Sequence, residues 1–298
     1  MPIIDVHTHI FPESVRKKRA SFCRKDPGFQ ALYENPQARL AGFEDLLSSM
    51  DQNRIQKSFI CGFPWKDPGL CREANDYLHW AQVQSEGRLI AFASLPRSSR
   101  RSIEKELHRC LDQRFEGIGE LAFYPKGITS REVKEIAAAL NPLGSLGIPL
   151  LIHVSEPVGH FYAGKSTSDL PRIYDLLLHL PDSPIILAHW GGGLFFYELM
   201  PEVARAARNV FYDTAASPYL YRPEVYSLAL KILGANRILF GSDYPLLSPH
   251  RYFAQWKEIA LPPRARAQIQ GRNAIRLLRG SSEKKAQGTP FSQRTQRP

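Results

Sequence analysis

Eight short apolar runs, each followed by a stretch of helical length, recur along this chain, and that alternation restricts what it can fold into. The runs fall at 2–9, 57–62, 89–94, 117–121, 149–154, 184–189, 209–213 and 237–243. Helices are expected at 41–53, 70–86, 99–114, 131–146, 170–180, 192–208 (interrupted near Pro201) and 223–233, with two more at 249–259 and 264–278. Ser130 suits the N-cap of the fourth, and Gly147 its end. A crossover helix after each strand returns the chain to the same end of the sheet, so the sheet is parallel. Leu150, Leu151 and Ile152, and likewise Ile185, Ile186 and Leu187, are apolar throughout, as strands buried on both faces are. Eight such units in about 280 residues predict an α/β fold of the (β/α)8 barrel type. An open doubly wound sheet is the structural alternative, but it gives no reason to gather polar strand ends around one centre. The barrel is expected over 1–279, and the polar stretch 280–298 reads as a disordered tail.

In a barrel of this kind the chemistry lies at the C-terminal ends of the strands. Those ends carry His7 and His9, Glu120, His153, His189 and Asp243. Four of the nine histidines therefore fall at strand ends. His7 and His9 are two residues apart, so their side chains leave the same face of the strand, about 7 Å apart along it. The curl at a strand end closes that gap. A lone histidine on an apolar strand is more often a hydrogen-bonded core residue, and a lone Glu or Asp a loop cap or ion-pair partner. Six such groups from five strands at one mouth are different. Burying them together requires a cation to balance them, and imidazole and carboxylate are the donors a divalent metal takes.

The bulk properties exclude several classes. No apolar run approaches the roughly 20 residues of a membrane span, and no signal peptide is expected, since the first strand opens almost at once. Cys23, Cys61, Cys71 and Cys110 are scattered, with no Cys-x-x-Cys pair, so they read as free thiols of a cytoplasmic protein. The net charge of +10 invites a nucleic-acid reading, but the charge crowds into Arg16, Lys17, Lys18, Arg19, Arg24 and Lys25 and into the polar tail. Runs of this kind are usually solvated, and nucleic acid is not the expected partner. A small molecule is; a homodimer is left open. The segment 11–36 is long for a strand-to-helix connection, as lids and binding loops are.

The chain resembles the amidohydrolase superfamily, and within it the amidohydrolase-related branch that includes aminocarboxymuconate-semialdehyde decarboxylase, aromatic-acid decarboxylases and lactone hydrolases. The pieces that carry the resemblance are Asp5-Val6-His7-Thr8-His9-Ile10-Phe11-Pro12, Leu151-Ile152-His153, Ala188-His189-Trp190-Gly191-Gly192, Leu239-Phe240-Gly241-Ser242-Asp243-Tyr244-Pro245 and the closing Gly271-Arg272-Asn273-Ala274-Ile275-Arg276-Leu277-Leu278. The resemblance implies that His7, His9, His153 and Asp243 hold one divalent metal, most often zinc. It implies that His189 is a base or a polarising group. Glu120, in Gly-Ile-Gly-Glu-Leu, is similar instead to the bridging glutamate of TatD-like nucleases and phosphotriesterase-like proteins. With two metals, Glu120 would bridge them, and His153 and His189 would hold the second.

A bound divalent cation makes water acidic enough to react near neutral pH. The expected reaction is hydrolysis of a small, anionic ester, lactone or amide, with Asp243 and His189 as catalytic groups. Non-oxidative decarboxylation of an aromatic or unsaturated carboxylic acid is the alternative, and a TatD-like nuclease a third reading. A barrel that binds without catalysis would have no need of every ligand. His160, Tyr162 and Lys165, in the loop after the fifth strand, are expected to grip the substrate, as are Arg222 and Tyr244. His250 is a weaker candidate. Gly191, Gly192 and Gly193 can bring backbone N–H groups to an anion, or simply form a tight turn.

Overall fold

A computed structural model of the chain describes residues 2–124, 126–166 and 169–287. Eight parallel strands stand side by side in chain order: β1 (Ile4–His9), β2 (Lys57–Cys61), β3 (Leu89–Ala93), β4 (Gly117–Leu121), β5 (Leu150–Ile152), β6 (Ile185–Leu187), β7 (Val210–Asp213) and β8 (Ile238–Leu239). The seam between β8 and β1 is held by backbone N–H groups. Val6 donates to the Phe240 carbonyl at 2.8 Å, Asp243 to His7 at 2.9 Å, and His9 to Tyr244 at 2.7 Å. The result is a nearly closed (β/α)8 barrel, as the alternation of runs predicts.

Helices α1 (Glu13–Lys17), α2 (Arg19–Lys25), α3 (Pro27–Tyr33) and α4 (Phe43–Asn53) follow β1. Then come α5 (Pro68–Gln84), α6 (Arg100–Asp112), α7 (Ser130–Leu140), α8 (Asp169–His179) and α9 (Pro201–Ala206), one after each of β2 to β6. Next, α10 (Ser217–Leu220) and α11 (Val225–Leu233) follow β7, and α12 (His250–Glu258), α13 (Pro263–Ala267) and α14 (Asn273–Gln287) follow β8. Among the described residues, no helix is long and apolar enough to cross a membrane.

Strand residues alternate between two cores. Phe59, Phe92, Leu151, Ile186 and Leu239 pack with one another, the Phe59 and Phe92 rings stacked at 4.8 Å. Their neighbours Ile60, Ala91, Ile152, Leu187 and Ile238 pack against the helices.

Several local expectations change. The segment 11–36 is not a bare loop. Its helices build a small core of their own, in which Phe29 stacks on Trp65 at 4.8 Å beside Phe11, Phe22 and Phe63. Part of its positive charge is used structurally: Arg16 pairs with Asp45 at 3.2 Å, and Arg19 donates to the carbonyls of Asn35 and Pro36. Thr129 rather than Ser130 caps α7, because Glu132 reaches back to its backbone N–H while the threonine hydroxyl accepts from Glu132 N–H. The expected helix from 192 begins instead with five residues in left-handed conformation, His189 to Gly193, so regular helix starts only at Pro201. Finally, α14 runs through 280–287, the first part of the stretch expected as tail; 288–298 lie outside the described residues.

One glycine fixes where Glu120 points. The β4–β5 register breaks between Ile118 and Leu121, and Gly119 sits in the break with φ +138°. A Cβ there would lie 2.4 Å from the Leu151 carbonyl oxygen. Gly119→Ala is therefore expected to destabilise the protein by about 2 kcal/mol or more. Urea unfolding monitored by circular dichroism checks this; an unchanged midpoint would contradict it.

Candidate metal centre and cavity

The curl at the end of β1 does what the two-residue spacing requires. His7 Nε2 and His9 Nε2 stand 3.1 Å apart, helped by a register shift between Asp5 and Thr8. Around them close Glu120, with Oε1 3.5 Å from His7 Nε2 and Oε2 3.7 Å from His9 Nε2, and Asp243, with Oδ1 3.7 Å and 3.4 Å from the same two nitrogens. His153 Nδ1 lies 3.1 Å from Glu120 Oε1, and His189 Nε2 lies 3.4 Å from Asp243 Oδ2. All six expected ligands therefore meet at one place.

Their donor atoms form three overlapping triads: His7, His189 and Asp243; His7, His9 and Glu120; Glu120, His153 and His189. Within each triad the atoms lie within 4.8 Å of one another. Imidazole nitrogens and carboxylate oxygens this close suit a divalent cation of the zinc or manganese kind. Glu120, His7 and His189 each belong to two of the triads.

The electrostatics point the same way. Burial opposes charge on His7, but the carboxylates of Asp213 and Glu120 override it and raise the imidazole to about 10. For His189, burial again opposes, and Asp243 raises it to about 8. Burial pushes against ionised Glu120, yet His7 and His153 bring it down to about 2. Asp243 is likewise held well below the ordinary carboxylate range by His189 and His7, against its burial. Without a metal, protons on His7 and His189 balance the carboxylates.

Above the cluster opens a cavity of about 570 Å³. Six aromatic rings line it, those of Phe11, Tyr33, Phe63, Tyr124, Tyr162 and Tyr219. Besides the cluster's own histidines, the wall carries the guanidinium of Arg39 and the imidazole of His160. Of the substrate contacts expected from sequence, His160 and Tyr162 line this cavity. Lys165, Arg222 and Tyr244 are not on its wall. Lys165 spends its ammonium on the carbonyls of Val158 and His160, at 2.6 and 2.9 Å. Tyr244 turns its hydroxyl to the Asp45 carbonyl at 3.1 Å. Arg222 lies between α10 and α11, beyond the lining residues. His250 is likewise off the wall, bonded to Ser248 Oγ at 2.9 Å.

Several residues are absent from the expected set. Tyr124 places its hydroxyl 3.0 Å from His153 Nδ1. Tyr33 and Arg39 come from the insertion after β1, which carries no motif. Asp213 is fully buried at the end of β7, 2.8 Å from His7 Nδ1. It is a carboxylate at a strand end, the same signal that marks the others.

A family model described as amidohydrolase matches residues 4–280. The chain belongs to the amidohydrolase family. Its structure is similar to that of 5-carboxyvanillate decarboxylase from Sphingomonas paucimobilis, with a TM-score of 0.74 at 16% identity, covering 93% of this chain and 99% of that one. It is similar also to dihydroxybenzoic acid decarboxylase from Polaromonas sp. JS666, solved with bound manganese and 2-nitroresorcinol, with a TM-score of 0.67 at 19% identity over 93% and 97% of the two chains. A third is 4-oxalomesaconate hydratase from Rhodopseudomonas palustris, with a TM-score of 0.66 at 20% identity over 96% and 98%. A search of curated protein sequences returned no match.

A pH dependence follows for this amidohydrolase. His7 is protonated in the metal-free protein up to about pH 10, and a ligating imidazole must be neutral. Metal uptake therefore releases protons, and affinity is expected to rise as pH goes from 6 to 8. Calorimetric titration of Mn²⁺ in buffers of different ionisation enthalpy measures both. An affinity flat across that range, with no proton release, would contradict the assignment.

Proposed function

We propose that this amidohydrolase is a divalent-metal-dependent, non-oxidative decarboxylase of an aromatic or unsaturated carboxylic acid. The observation that carries the reading is the aromatic cavity set directly over the histidine–carboxylate cluster. A volume of about 570 Å³ accommodates a single substituted ring. Flat walls such as Phe63, Tyr124 and Tyr162 suit a planar substrate by stacking or edge-to-face packing. Two of the three structural relatives above are decarboxylases of aromatic acids, and one was solved with manganese. That favours decarboxylation over the hydrolysis expected from sequence, and it leaves manganese beside zinc as the metal. Four buried free cysteines support a reducing, cytoplasmic setting.

The reaction exchanges a carboxylate for a hydrogen on carbon. A bound divalent cation supplies positive charge against which the anionic substrate is held. The metal would be held by His7, His9, Glu120 and Asp243, with His153 as a further ligand. Arg39 lines the cavity, is exposed, and lies over the Tyr244 ring at 5.8 Å. Its guanidinium is thus available to a substrate anion. The aromatic walls exclude water and keep the ring in one plane.

His189 and Asp243 handle the proton. His189 Nε2 lies 3.4 Å from Asp243 Oδ2, so a proton on the imidazole is within reach of the carboxylate. Asp243 passes that proton to the carbon bearing the carboxylate. The carbon–carbon bond then breaks, its electron pair stays with the ring, and CO₂ leaves.

The test is direct. Protein loaded with Mn²⁺ or Zn²⁺ is incubated with dihydroxybenzoates and carboxylated methoxyphenols, and CO₂ and the decarboxylated arene are measured. The expected result is equimolar CO₂ and arene from at least one of them, and a loss on the order of 10²–10⁴-fold in Asp243→Asn. Release of a new acid from lactones or esters with no CO₂ would replace decarboxylation by hydrolysis. Full turnover in Asp243→Asn would remove Asp243 from the mechanism.

A further inference from the structure

We propose that Asp213 is a positioning residue for the metal centre: it sets which nitrogen of His7 faces the cation, and it holds the strained turn that presents His189.

Its two carboxylate oxygens do separate things. Oδ2 lies 2.8 Å from His7 Nδ1. Oδ1 accepts the backbone N–H of His189 at 2.9 Å and that of Ala215 at 3.0 Å. A carboxylate only accepts, so the neutral His7 ring must carry its proton on Nδ1. Nε2, which faces His9, Glu120 and Asp243, is then left with a free lone pair. A ring with the proton on the other nitrogen would present N–H to the site and bind no metal there.

The second role concerns backbone strain. His189 (φ +57°) and Trp190 (φ +59°) are both left-handed without being glycine, a conformation that L side chains disfavour. The bond from His189 N–H to Asp213 ties down the start of this turn. Trp190, fully buried, donates its indole N–H to Ser217 Oγ at 2.6 Å and ties down the next residue. His7 on β1 and His189 after β6 are thus indexed to one carboxylate on β7.

The room for this is built in. Gly241, beyond β8, lies against the pair, and a Cβ there would meet His7 Cβ at 2.8 Å and Asp213 Cβ and Cγ at 3.3 Å. Thr214 clamps the same spot: its hydroxyl donates to the Gly241 carbonyl at 2.9 Å and accepts from Gly241 N–H at 3.1 Å.

Asp213→Asn tests the proposal with almost no change of shape. The N–H groups of His189 and Ala215 cannot be altered, so the amide oxygen must stay with them. The amide NH₂ then faces His7 Nδ1 and favours the wrong tautomer. The proposal rests on the divalent-cation reading of the cluster and not on decarboxylation, so the readout is metal affinity and not turnover. Competition against a chelator, with Mn²⁺ and with Zn²⁺, is expected to show binding about 10- to 100-fold weaker in Asp213→Asn. Wild-type affinity in a folded Asp213→Asn variant would overturn the proposal, while a wild-type protein that binds neither metal would overturn the cation reading with it. Nitrogen-15 NMR of the zinc-loaded wild-type protein needs no variant at all. A His7 ring proton on Nδ1 supports the proposal, and one on Nε2 overturns it.

Discussion

Two imidazoles 3.1 Å apart, with buried carboxylates on several sides, form the contact on which the rest of this barrel depends. His7 and His9 meet nitrogen to nitrogen, and beside them the buried carboxylates of Glu120 and Asp243 are held ionised by the neighbouring imidazoles. Such charge is tolerable only if something positive sits among it. Protons do this in the metal-free protein, and a divalent cation does it better, because it satisfies several donors at once.

The fold serves this contact by bringing chain ends together. β1 and β8 are some 230 residues apart in sequence order, as Val6 and Phe240 show, yet their backbones are hydrogen bonded. Closure puts His7 and His9 beside Asp243, and β4 to β7 add one group each. Fine placement comes from local irregularities: the register break at Gly119, the left-handed turn at His189 and the missing side chain at Gly241. Regular strands alone would leave these groups too far apart to share an ion.

Much of this was legible in the sequence. Apolar runs alternating with helical stretches are a coarse signal, and all eight strands lie where the runs are. The six residues of the cluster could be picked out because strand ends are where a barrel keeps its chemistry. What failed was set by longer-range contacts. Lys165 and Tyr244 have the right chemistry, but carbonyls of their own surroundings claim their donors. Asp213 ends β7 with the same strand-end signal as Glu120 and Asp243, so it too was legible in the sequence. The segment 11–36 hid a small aromatic core that depends on Phe63 and Trp65 from after β2. The preference for an aromatic acid also came late, because it rests on walls drawn from separate loops.

The central claim is that these side chains hold a metal, and elemental analysis of the purified protein tests it most directly. The account predicts at least one tightly held divalent cation per chain, lost when His7 and His9 are both replaced by alanine. Two per chain would engage the second group of donors, Glu120, His153 and His189. A protein that purifies without divalent metal, and takes up neither zinc nor manganese when dialysed against them, would contradict the account.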